Sequence, residues 1–360
     1  MNKYLSLLLL FGFIQIPLFA QQKILKEAIE RAEREDFSGV ILVAEDDKIL
    51  FEEAMGMRTY ENRALLHEYD IFELASLSKQ FTAMMIMMCK EKGLLGFDDQ
   101  LSKYIETPYP GISIRNLLTH TSGLPDYQAI MDEHWDKNKV AGNPDILEYL
   151  REYAPVKSFD PGDKYEYSNT GYVLLASVVE KVTGEDFVDL MREWIFRPLG
   201  MKNTAIRSLE EKASVKDFAA GHLKDENGNY VNANTFHSSD YTIWLGNRKG
   251  PGRVSSNAED LYKWDQALYT DKLVSKETME EAYTAFKLND GTRSYYGFGW
   301  EIKPQSPFGK MVMHTGSNPG YSTIIVRYLE ENKTIIILNN NAHPDMMRLV
   351  EAATLSLGKW

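Results

Sequence analysis

One cysteine, Cys89, stands in 360 residues. A lone cysteine excludes an intramolecular disulfide and a cysteine-based metal site. It lies in the apolar helical stretch Met84–Cys89 and reads as a buried, inert thiol. HExxH is missing, and His222, His237 and His343 lack metal-ligand spacing, so no metal or cofactor is expected. GxSxG is missing too, which argues against an α/β-hydrolase nucleophile elbow. Lysine and arginine fall short of aspartate and glutamate, 40 against 52, for a formal charge of −12. A nucleic-acid partner is therefore set aside, because binding a polyanion needs a cationic surplus. No tandem repeat, low-complexity tract or proline-, glycine- or serine-rich linker divides the chain.

The longest apolar run, Leu5–Phe19, is interrupted by Gln15 and Pro17 and is shorter than the ~20 residues that span a bilayer. With Lys3 before it and Ala20 after it, the run reads as a signal peptide over 1–20, cleaved after Ala20. The mature chain, 21–360, is then expected to be secreted or periplasmic. It is also expected to have no stable membrane insertion and no lipid anchor, as no cysteine follows the cut.

Two short strands around a tight turn are predicted over 38–51, and four more over Tyr295–Ile302, Lys310–His314, Tyr321–Tyr328 and Thr334–Asn339. A helix is predicted over Pro344–Leu357. The region between, about 80–289, reads as helical patches separated by turn clusters such as Asp160-Pro161-Gly162-Asp163. The expected fold is α+β, a single domain in which both chain termini build one antiparallel sheet flanked by helices. A mainly helical lobe is inserted into it, and the site is expected in the cleft between.

Three short patterns carry chemistry. Ser76-Leu77-Ser78-Lys79 opens a predicted helix, and residues three apart share a helical face, so Lys79 can reach the Ser76 hydroxyl. Serine needs a base to become a nucleophile, and lysine serves only when burial or nearby cations lower its pKa. Taken alone, Ser76 as an N-cap and Lys79 as a solvated charge is the ordinary reading of this spacing. Tyr167-Ser168-Asn169 offers a phenol able to share a proton with lysine and an amide able to meet a substrate carbonyl. His314-Thr315-Gly316-Ser317 ends a predicted strand. There a glycine lets a substrate backbone approach, and the Ser317 N–H could join that of Ser76 as an oxyanion hole. His120 reads as structural. Asn332-Lys333-Thr334 is a sequon on a predicted hairpin turn and is discounted as a glycosylation site.

In this order the three patterns resemble the serine β-lactamase and penicillin-binding family, in the branch with class C β-lactamases, D-alanyl-D-alanine carboxypeptidases and related esterases. Leu117–Pro125, Pro161–Tyr172, Arg197–Met201 and Tyr296–Trp300 resemble it as well, so the likeness runs over roughly 35–355. It implies a β-lactamase/transpeptidase-like fold and a Ser76 acyl-enzyme, with Lys79 and Tyr167 moving the proton. Asn169, His314, Thr315, Gly316 and Ser317 would bind a small-molecule, peptide or peptidoglycan-type substrate. Class C β-lactamases usually have lysine where this chain has His314, which favours a peptidase or esterase. The alternatives are a class C-like β-lactamase, or a penicillin-binding sensor that is acylated but deacylates slowly. Specificity is expected in the loops Tyr127–Val140 and His237–Gly252.

Overall fold

The computed structural model describes residues 18–358, with side chains from residue 23 onward. The predicted signal segment therefore lies largely outside the described residues. Ala20 falls in the first turn of helix α1, Leu18–Arg34. No helix among the described residues is long and apolar enough to cross a membrane.

Six strands form the main sheet: β1 (Gly39–Glu45), β2 (Lys48–Met55), β3 (Glu301–Lys303), β4 (Met311–Asn318), β5 (Tyr321–Tyr328) and β6 (Lys333–Asn339). Their order is β3-β4-β5-β6-β1-β2, every pairing is antiparallel, and Gly39–Glu45 pairs with Lys333–Asn339 along its full length. The two ends of the chain thus meet at the centre of one sheet. Tight turns connect β1 to β2 and β5 to β6, where Asp46 (φ 53°) and Asn332 (φ 44°) occupy the left-handed region, which these two residue types tolerate better than most.

Alternation along the strands divides the sheet into two apolar faces. Ile41, Val43, Ile335 and Ile337 pack under α1 and the C-terminal helix Met346–Ser356, which contributes Leu349 and Val350. Val40, Leu42, Ile336 and Leu338 face the intervening segment and share a core with helices α2 (Ser78–Glu91) and α3 (Asn169–Thr183). That segment is not purely helical. It contains a small sheet of Phe72–Glu73, Val254–Ser256 and Ala205–Ile206, and a hairpin of His222–Lys224 with Tyr230–Asn232.

Two strand expectations need correction. Of the predicted strand Tyr295–Ile302, only the end joins the sheet, as Glu301–Lys303 pairing with β4. Before it the chain bends, with the Gly297 N–H donating to the Trp300 carbonyl (2.8 Å) and the Phe298 N–H to the Ala282 carbonyl (3.0 Å). Strand β4 in turn runs past His314 to Asn318, so the His314–Ser317 motif lies within a strand paired to β5.

Candidate active site

A short 3-10 turn, Ala75–Leu77, delivers the chain into α2. Ala75 takes φ 51°, a left-handed conformation that costs a residue with a Cβ about 1–3 kcal/mol and persists only where its surroundings impose it. Four contacts impose it here. Thr323 Oγ1 donates to the Leu74 carbonyl (2.9 Å), and the Leu74 N–H donates to Val254 O (2.9 Å). The Val254 N–H donates to Ser78 Oγ (3.0 Å), and Thr82 Oγ1 donates to Gly250 O (2.8 Å). Every residue from Asp70 to Met87 is buried except Ser76. The turn therefore presents one hydroxyl to solvent from an otherwise closed segment.

Glycine is required at two places around this turn. A Cβ on Gly316 would lie 2.2 Å from the Leu74 carbonyl oxygen, so Gly316 lets β4 close on the turn that carries Ser76. This packing role is separate from the expected approach of a substrate backbone. Gly250, at φ 109°, would place a Cβ 2.1 Å from Tyr172 O, which seats the 250–254 segment against α3.

Lys79 is fully buried one turn after Ser76. Its Nζ lies 3.1 Å from Ser76 Oγ, 2.8 Å from Asn169 Oδ1 and 3.0 Å from Pro251 O. Burial first, and the Arg248 guanidinium second, push the ammonium well below the usual lysine range. A neutral amine has two N–H donors and one lone pair. The carbonyls of Asn169 and Pro251 can only accept, so they take both N–H bonds, and the lone pair is left for the Ser76 O–H. The Tyr167 ring centroid is 4.7 Å from Nζ. Burial raises the Tyr167 hydroxyl, a hydrogen bond with Ser76 opposes that only partly, and the phenol stays protonated.

The structure brings Ser76, Asn169 and Ser317 onto the wall of one cavity of about 90 Å³, together with Arg248 and Asn318, and sets Lys79 directly behind Ser76. Thr315 is exposed and lines neither this cavity nor the larger one beside it. His314 does not reach substrate space, being 2% exposed on the inner face of β4. Its Nδ1 is 2.6 Å from Thr315 O, and its Nε2 is 2.8 Å from the Tyr296 hydroxyl. A carbonyl accepts only, so Nδ1 carries the proton and Nε2 accepts from Tyr296. Burial, with the nearby Lys79, brings the imidazole down to about 3. His314 is thus neutral, with both nitrogens committed.

Several contributors were not singled out from sequence. Pro251 acts through a backbone carbonyl, which no side-chain pattern reveals, although Gly250-Pro251-Gly252 marks an unusual backbone there. Arg248 and Tyr296 likewise act through the fold. His120 proves to hold the site loop: it is fully buried at φ 56°, and its Nδ1 accepts the Ser168 N–H (3.1 Å) between Tyr167 and Asn169. Cys89 is buried, its thiol pushed up to about 12 by burial. The Asn332 side-chain amide is engaged with Gln266 (3.0 Å). Far from the site, Glu35, His343 and Asp345 converge. There His343 bonds Glu35 O (2.9 Å) and the Asp345 N–H (3.2 Å), and Arg348 pairs with both carboxylates, so the cluster ties α1 to the C-terminal helix.

A partly exposed serine beside a lysine whose ammonium burial disfavours, at the start of a helix packed under an antiparallel sheet, is an arrangement suited to acyl transfer. The family model described as Beta-lactamase matches residues 26–358. Penicillin-binding protein 4* of Bacillus subtilis (strain 168) is 39% identical over 312 residues, covering 86% of this chain and 69% of that protein. Among solved structures, the octameric penicillin-binding protein homologue from Pyrococcus abyssi superposes with a TM-score of 0.80 at 27% identity, over 96% of this chain and 78% of that one. A penicillin-binding protein from Bacillus halodurans gives 0.76 at 27% identity, over 94% and 99%. The chain belongs to the β-lactamase family and is a serine hydrolase of that family.

Proposed function

We propose that this protein hydrolyses amide or ester bonds through a Ser76 acyl-enzyme, as a D-alanyl-D-alanine carboxypeptidase-like or esterase-like enzyme. The observation that carries the reading is the trio of contacts at Lys79 Nζ, which leaves the lone pair of a neutral amine for the Ser76 hydroxyl. Lys79 takes that proton as Oγ bonds to the substrate carbonyl carbon. The backbone N–H groups of Ser76 and Ser317 receive the developing oxyanion, and Asn169 positions the substrate. Tyr167, protonated at rest, passes the proton from Lys79 to the departing nitrogen or oxygen as the bond to it breaks. Water then releases the acyl group by the reverse sequence of proton transfers.

His314 gives no cation to a β-lactam carboxylate, which argues against the class C-like alternative. A relative named as a penicillin-binding protein supports including a β-lactam among the acyl donors tested. The reading includes export, on the strength of the apolar run Leu5–Phe19 and its flanks.

The test exposes the protein to activated esters, a D-Ala-D-Ala peptide and a β-lactam, and follows product release and intact mass, with Ser76→Ala as control. Turnover of ester or peptide with a transient Ser76 adduct is expected. A persistent adduct without product identifies a sensor instead, and full turnover by Ser76→Ala removes Ser76 from the mechanism.

A further inference from the structure

Beside the small cavity at Ser76 lies a second one of about 470 Å³, and the two share Arg248 and Asn318 in their walls. The larger cavity is lined by four cationic side chains, Lys212, Lys216, Arg248 and Arg253, and by one carboxylate, Glu73. Glu73 is already in contact with Lys212. Among the described residues the hydrogen bonds of the two arginines go to neutral partners, and the carboxylates that act on Arg253, Glu73 and Glu211, do so through space. Arg248 donates to the Tyr127 hydroxyl (3.1 Å) and lies over the Tyr241 ring, while its buried Nε has no partner. Arg253, 6% exposed, donates to Arg207 O (2.9 Å). A buried cation that no carboxylate hydrogen-bonds is costly, and burial, with Arg248 adding to it, holds the Arg253 guanidinium below its usual range despite Glu73 and Glu211. Arg253 also takes φ 82°, a conformation that costs a non-glycine residue and persists where function or surroundings demand it. This local excess of positive charge belongs to a chain whose formal charge is −12. The remaining wall is largely apolar, including Leu209, Phe218 and Ile243.

We propose that this cavity is a subsite for a carboxylate-bearing arm on the acyl half of the substrate, with Arg248 and Arg253 supplying the countercharge and the apolar wall taking the arm's methylenes. The assignment to the acyl half rests on the proposed function. The leaving group must lie against Tyr167, which lines neither cavity, so an arm passing Arg248 and Asn318 belongs to the other side of the scissile bond.

Two matched probe pairs test this on the full chain. The reactive pair is the mono-p-nitrophenyl ester of adipic acid and the p-nitrophenyl ester of adipamic acid, which differ only in carboxylate against carboxamide. The unreactive pair is the corresponding mono-N-methylamides, whose binding is measured by calorimetry. The carboxylate member of each pair is expected to be favoured by about tenfold, in kcat/KM and in Kd, as a change of one order in an equilibrium constant. The preference should fall to near parity in Arg253→Gln. If that variant fails to fold, Lys216→Gln, at a solvent-exposed position, should reduce the preference in both readouts. Equal binding of the two methylamides overturns the subsite whatever the esters do. Charge-selective binding with no Ser76 adduct from either ester supports the subsite and overturns the proposed acyl-enzyme.

Discussion

At the scale of single residues, the site depends on keeping Lys79 unprotonated at the pH where Ser76 must react. Its ammonium is lowered by burial and then by Arg248. A group that acts as a base only when neutral gives a rate that rises with pH through its pKa. The burst of p-nitrophenol from an activated ester should therefore rise with a midpoint well below the ordinary lysine value. In Arg248→Gln the midpoint should move upward and the rate at pH 7 should drop, because a nearby cation no longer disfavours the ammonium. An unmoved midpoint would exclude Arg248 as a contributor. His120 acts one step further away, through the backbone N–H of Ser168. Leaving that buried donor without an acceptor costs about 1–3 kcal/mol. His120→Leu should lower kcat by roughly tenfold or more, at about tenfold per 1.4 kcal/mol. His120→Asn should stay within a few-fold, since its Oδ1 can replace Nδ1 and asparagine tolerates a positive φ.

At the scale of elements, the site is a docking of α2 and its leading turn onto β4, β5 and the 250–254 segment. At Gly316 strand and turn come close, with the Leu74 carbonyl in the space a methyl group would need. That carbonyl is held by Thr323 and cannot swing away. Gly316→Ala should cost about 1–3 kcal/mol in urea unfolding, as overpacking does. It should reduce ester turnover by more than the stability loss explains, because any relief moves the turn that carries Ser76. Wild-type turnover in a stable Gly316→Ala protein would mean that this spacing does not control the nucleophile. The same elements account for His314. As a member of a strand whose alternate residues face the core, it points inward, and the bend before β3 brings Tyr296 to its Nε2.

At the scale of the whole molecule, two buried features govern stability. Arg327 and Asp265 form a fully buried pair on β5 and the helix Ala258–Ala267, with Arg327 Nη2 also donating to Asp265 O (3.0 Å). Arg327→Met strands the carboxylate and should cost about 3–5 kcal/mol, whereas the double variant Arg327→Met, Asp265→Leu should recover much of that loss. The second feature is acid sensitivity. His314 is brought down to about 3 and His120 is lowered well below its usual value, mainly by burial. Each is neutral in the folded protein at a pH where the unfolded chain is protonated, so the unfolded state binds more protons. The stability tied to His314 is present above about 6.5 and is lost as pH falls toward 3, at about 1.4 kcal/mol per pH unit. Urea titrations between pH 4 and 7 should show that slope, and His314→Asn should remove one proton's share of it.

The sequence by itself determined the sheet-forming ends, through β-branched runs that alternate or stay continuously apolar, and the Ser76–Lys79 pairing, through the fixed period of a helix. Both are local consequences of backbone geometry. It also placed Tyr167, Asn169 and Ser317 near the site through a family resemblance. The role of His314 was not legible, because which face of a strand a residue occupies, and what lies behind that face, follow from sheet register and from the bend that brings Tyr296, 18 residues upstream, to its Nε2. Nor could the sequence show that Pro251 offers its carbonyl, that Arg248 charges the wall, or that Gly316 makes room for the Leu74 carbonyl. Those facts depend on segments more than 60 residues apart in the chain coming into contact. Only tertiary packing sets such distances, and with them the desolvation that turns Lys79 from a solvated charge into a candidate base.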